Sequence, residues 1–311
     1  MSFGDWPVSL HSRFEGALVG GLVALHQLDR TWERDRRNLD AALQGALQLS
    51  EIVGAQAGPD PGLLALASLE PLMAGPGDQL GLALLPLLLR WFDRPLVLHQ
   101  LWTQAMDQPL PEAVILGAEV LAWVLVHPNA ATLEFSQGDR EETEFDPAAH
   151  TAHTAHTAQT AHATHSAALS NALSNALWPS VVNILSDWQT LDRLALDWPQ
   201  RLRAATPETL PILVALHSLR SSGGRWASSL ARSQQQSASA VLWSGVLVGA
   251  VGGCAAIPAD VGAIVPDRLL TRAIQGAQML IDRWSGRLPQ YPLADSIAEG
   301  DRLITHFRVG R

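Results

Sequence analysis

The 311-residue sequence contains no lysine; all 21 of its basic residues are arginine. Schiff-base chemistry on a lysine and the lysine of a phosphate-binding P-loop are therefore excluded. Cysteine is almost absent too. Cys254 is the only one, so no intrachain disulfide and no multi-cysteine zinc site can form within the chain. That usage fits a reducing compartment, and a cytoplasmic location is expected. Cys254 itself lies in an apolar stretch and reads as a small buried hydrophobe rather than a nucleophile. Positive charge is in short supply. The formal net charge is -9, which leaves no basic footprint for nucleic acid. The first residues, MSFGDWPVSLHSRFEG, lack a basic segment followed by an apolar core, so no signal peptide is expected.

Strand signals are missing as well: no run alternates apolar and polar with β-branched residues. There is no dinucleotide fingerprint, no G-x-S-x-G, no H-E-x-x-H and no pair of carboxylates in an apolar setting. The expectation is an all-α chain, one compact multi-helix domain over residues 1–311.

What is present is organised around residues 237–258, SASAVLWSGVLVGAVGGCAAIP. The stretch has no charge, and Gly245, Gly249 and Gly253 recur four apart. Such spacing gives a helix one stripe without bulk, so another backbone can approach it closely. It reads as a buried central helix ending near Ile257-Pro258. Residues 240–257 are long enough to be weighed as a membrane span, roughly 18 residues being the minimum. The many Gly and Ala residues and the lack of a flanking basic cluster argue against insertion. Gly16 and Gly20 repeat the spacing in a helix over residues 12–27, where Ser12 and Glu15 form a capping-box pattern.

Further helices are expected at 39–53, 63–73, 80–91 with Pro86 as a kink or first-turn residue, 95–106, 112–126, 179–202, from Thr206-Pro207-Glu208 to Arg220, 226–232 and 268–284. Residues 29–38 are charged and read as solvated, and AGPDPG at 57–62 reads as a turn. Residues 136–176 differ in kind: an acidic start, then an Ala/Thr/His repeat and a doubled LSNA. They read as a low-complexity insertion in a connection. His150, His153 and His156 are three apart, but no carboxylate or cysteine joins them at ligand spacing.

Three stretches together resemble the ADP-ribosylglycohydrolase family. Residues 13–20, RFEGALVG, look like its opening helix. Residues 243–252, WSGVLVGAVG, followed by Ile257-Pro258, are similar to its late helix, and residues 269–280 to its closing one. The resemblance implies an all-α fold with a two-magnesium site that hydrolyses a ribose-linked bond. Members hold the ions with a T-D-D-T segment early in the chain and a D-T-D-T segment just before the late helix. On the same alignment Gln236, Ser237, Ala238 and Ser239 stand at the second segment, and Ala24-Leu25 at an early G-D. The early segment should lie near residues 36–40, where Asp40 is the one acid. Hydroxyls without carboxylates do not offset the dehydration of magnesium. The positions Gln236, Ser237, Ala238, Ser239 and Asp40 thus imply a degenerate metal site, with no cofactor and no catalytic residue.

The implied function is binding without hydrolysis, of a protein partner or a nucleotide-like ligand. Eleven tryptophans, several at expected helix ends, suit a protein interface. The alternative is an active hydrolase whose magnesium site is rearranged around Glu33, Asp35 and Asp40, close to Ser237 and Ser239. A further alternative is a membrane-associated helical protein. Ser237 also suits the plain role of N-cap on the central helix.

Overall fold

A computed structural model describes residues 8–28, 32–55, 77–126 and 202–287, and no strand occurs among them. In chain order the helices are α1 (Leu10–His26), α2 (Glu33–Ala55), α3 (Gly77–Ala83), α4 (Leu85–Arg90), α5 (Pro95–Met106) and α6 (Glu112–Val126). After residue 201 come α7 (Leu210–Ser221), α8 (Trp226–Gln234), α9 (Ala238–Gly252), α10 (Ala259–Gly262) and α11 (Asp267–Trp284). The expected turn at 57–62, the helix at 63–73, all but the last residue of the helix at 179–202 and the 136–176 insertion with its histidines lie outside the described residues, as does the tail beyond 287.

Helix α9 is the centre of the fold. It has no charged or strongly polar face to give to water, and every residue from Ala238 to Val251 is buried. Its closest partner is α1, and glycine is the reason. A β-carbon on Gly16 would overlap the carbonyl oxygen of Gly249, and one on Gly20 that of Gly245. The reverse substitutions would overlap the carbonyls of Gly16 and Gly20. The two backbones touch along the stripe that the four-residue glycine spacing predicts.

Trp243 projects from α9 between two further glycines. A β-carbon on Gly117 of α6 would come 2.8 Å from its ring, and one on Gly81 of α3 3.0 Å. Helices α7 and α8 complete the surround through hydroxyls. Ser233 donates to Ser218 at 3.0 Å and pairs with Ser244 at 2.5 Å, while Ser222 pairs with Ser229 at 2.5 Å. All five serines are buried. Each hydroxyl meets the hydrogen-bonding need of another in a place without water.

Helix α11 is strongly amphipathic, burying Leu270, Ala273, Ile274, Gly276, Ala277, Leu280 and Ile281 against α1 and α2. Arg13 of α1 is buried and crosses to the end of α6. Its Nη1 donates to the carbonyls of Leu125 at 3.0 Å and Val124 at 3.3 Å, two of the acceptors a helix C-terminus leaves open.

Several boundaries differ from expectation. Helix α1 begins at Leu10 because Ser9 is the N-cap, its Oγ accepting from the Ser12 amide at 3.2 Å. The Ser12–Glu15 capping box does not form; Glu15 is buried, with Oε1 2.7 Å from His11 Nε2. Helix α2 starts at Glu33, within the charged run, since Glu33 and Asp35 in a first turn complement the helix dipole. Helix α9 ends at Gly252 rather than near Pro258, because Gly253 takes φ +65° and turns the chain into a short 3-10 turn, Cys254–Ala256. Helix α7 starts at Leu210, after a turn in which Thr206 and Thr209 bond each other's amides. Pro86 does open a helix, α4, after a break at Leu84. No helix among the described residues is long and apolar enough to cross a membrane. At 15 residues, α9 spans about 22 Å against a hydrocarbon core of about 30 Å.

Candidate functional site

Two regions bear on function: the first turn of α9, and a groove between α1, α2 and α11. The chain enters α9 from α8 by a tight turn, with the Gln236 and Ser237 amides donating to Ser233 O at 3.0 and 3.3 Å. Ser237 is extended (φ -163°, ψ 157°) and its Oγ accepts from the Ala240 amide at 3.1 Å. That is an N-cap, and it engages the hydroxyl. Gln236 is exposed, Ala238 and Ser239 are buried, and no acid lies in the first turn of α9.

The groove has a volume of about 690 Å3 and is lined by Leu25, His26, Glu33, Arg36, Arg37, Asp40, Gln44 and Leu269. Positions 33, 36, 37, 40 and 44 fall at helical spacing, so α2 presents them on one face. The end of α1 supplies Leu25 and His26. The His26 Nδ1 lies 2.9 Å from Leu22 O; a carbonyl can only accept, so Nδ1 carries the proton. Spacings of three and four would allow Glu33 and Asp40 to pair with Arg36 and Arg37, yet none of the four forms an ion pair with another. Glu33, Arg37 and Asp40 are exposed, and Arg36 is half-buried.

The structure brings Asp40 and Glu33 into this groove and leaves Asp35, Gln236, Ser237, Ala238 and Ser239 out of its lining. Leu25, aligned above with an acid, presents an apolar side chain to the groove instead. Among the described residues no three of His, Cys, Asp and Glu gather where they could hold one metal ion. Two magnesium ions need several hard oxygen ligands in near-octahedral geometry, and this donor set does not fit them.

Sequence reasoning missed Arg36, Arg37, His26 and Gln44 as groove residues. Their signal was the 33-36-37-40-44 spacing, which becomes visible only once the helix is extended back to Glu33. It also missed the serine chain, whose signal is serine four apart at 218 and 222 and at 229 and 233.

Cys254 is buried, and that burial, with the nearby Glu15 charge, pushes its thiol well above the usual range. It is not available as a nucleophile. Compared with protein-family models, with curated proteins and with solved structures, the chain matches none.

Proposed function

We propose that this chain is an ADP-ribosylglycohydrolase-like protein that no longer hydrolyses and acts by binding a nucleotide-like ligand in the groove along α2. One observation carries the reading: Glu33, Arg36, Arg37 and Asp40 line one groove without pairing with each other. Cations left unpaired there can hold phosphate oxygens, Arg doing so with its planar fork of donors. The two carboxylates and Gln44 can accept from ribose hydroxyls, while Leu25 and Leu269 give apolar surface to a ring. Among the described residues no carboxylate set for magnesium gathers, which supports a reading of recognition rather than metal-assisted hydrolysis.

The test is a hydrolysis assay. Purified protein, stoichiometric with an ADP-ribosylated protein and supplied with magnesium, is expected to release no ADP-ribose above the uncatalysed background. Release that depends on magnesium and is lost in Asp40→Asn would instead establish the rearranged hydrolase.

A further inference from the structure

We propose that the groove along α2 selects a diphosphate carrying a hydroxyl-bearing group at each end, and that Glu33 and Asp40 reject nucleotides that end in a free phosphate, a selectivity that rests on the nucleotide-like ligand proposed above. The order of charge along the helix sets it. Glu33, Arg36, Arg37 and Asp40 all line the groove, so α2 presents an acid, two arginines and an acid in sequence. At a rise of about 1.5 Å per residue, Glu33 and Asp40 stand about 10 Å apart along the helix axis, with the arginines about midway. Gln44 extends the polar series one turn beyond Asp40. Among the described residues none of the four charged side chains pairs with another. Donors in the middle and acceptors at both ends therefore stay open, within a cavity of about 690 Å3.

A matching ligand carries its negative charge in the middle, where two guanidinium forks can meet phosphate oxygens. A group on either side of that centre faces a carboxylate, which accepts and cannot donate. A hydroxyl can donate to it, whereas a phosphate oxygen cannot and is repelled by its charge. His26 adds to the same preference: with its Nδ1 proton on Leu22 O, Nε2 of the neutral ring is a further acceptor and not a further cation. A diphosphate esterified at both ends has its charge in the centre and hydroxyls outside it. ADP has a sugar on one side only and sets its terminal phosphate towards one of the acids on the other. The two carboxylates thus discriminate by attraction and by repulsion at once.

The experiment is a calorimetric titration of the full chain with ADP-ribose and, separately, with ADP, both in EDTA so that no metal masks phosphate charge. ADP-ribose should bind at least about tenfold more tightly than ADP. In Glu33→Gln combined with Asp40→Asn the two ligands should move in opposite directions. ADP-ribose should weaken several-fold, because charge-assisted acceptors are lost, and ADP should tighten by about tenfold, because the repulsion is lost. Both positions are exposed, so the variant keeps its fold, and a folding defect would weaken both ligands alike. ADP binding the wild type as tightly as ADP-ribose, or both ligands moving the same way in the variant, would overturn the selectivity while leaving a nucleotide site in place. Binding of neither ligand to the wild type would overturn the proposed function and the selectivity with it.

Discussion

Gly20 of α1 and Gly245 of α9 meet backbone to backbone: a β-carbon on either would overlap the other's carbonyl oxygen. Gly21, the next residue, faces side chains instead. A β-carbon there would lie 3.1 Å from Val246 Cγ2 and 3.5 Å from Leu43 Cδ2, both of which can shift. Alanine gains about 1 kcal/mol over glycine in a helix interior. Gly20→Ala should therefore destabilise the protein by about 3 kcal/mol or more, since two backbones must separate. Gly21→Ala should change stability by less than about 1 kcal/mol. Denaturant unfolding of the pair of variants checks this.

Ser237 separates a capping residue from a remnant metal ligand. As an N-cap, Ser237→Ala should cost about 1 kcal/mol. Ser237→Asp should be neutral, or stabilising by a few tenths of a kcal/mol, because aspartate caps as well and its charge complements the helix dipole. Equilibrium unfolding at neutral pH measures both. A loss in Ser237→Asp as large as in Ser237→Ala would contradict the capping role.

The buried thiol of Cys254 gives a pH dependence. Its folded pKa is raised, by burial first and by Glu15 second. The unfolded thiol ionises near 8.5, so the stability this group contributes is full below that pH and is lost progressively as pH rises above it. Unfolding free energy should fall between about pH 8.5 and 10, and Cys254→Ala should flatten that slope. In the folded protein at pH 8, Cys254 should react with a thiol reagent only at the rate of opening.

Within the groove, Arg36→Gln combined with Arg37→Gln should weaken binding of ADP-ribose by about 100-fold, two charge-assisted contacts being lost. The exposed position of Arg37 leaves folding intact in the single variant. Calorimetric titration reads the change.

The helical core was legible because its causes are local. The four-residue glycine spacing at 16 and 20 and at 245 and 249 encodes a close helix pair without further information. Residues 112–126 form a helix with the expected bounds because Pro109 and Pro111 precede it and the run is apolar apart from Glu112 and Glu119. Charge hid the start of α2: residues 29–38 read as charged and solvated, and within them Glu33 and Asp35 form the first turn of the helix while Glu33, Arg37 and Asn38 stay exposed. The end of α9 was misplaced because Pro258 is a louder stop signal than the positive φ of Gly253. The groove was least legible. It joins Leu25 and His26 to Leu269, more than 240 positions away, and no local pattern reports such a meeting.

The most direct test of binding without a metal is a calorimetric titration of ADP-ribose into the wild-type protein, run once with magnesium and once with EDTA. The account predicts one saturable site with the same affinity in both. No binding, or binding that appears only with magnesium, would contradict it.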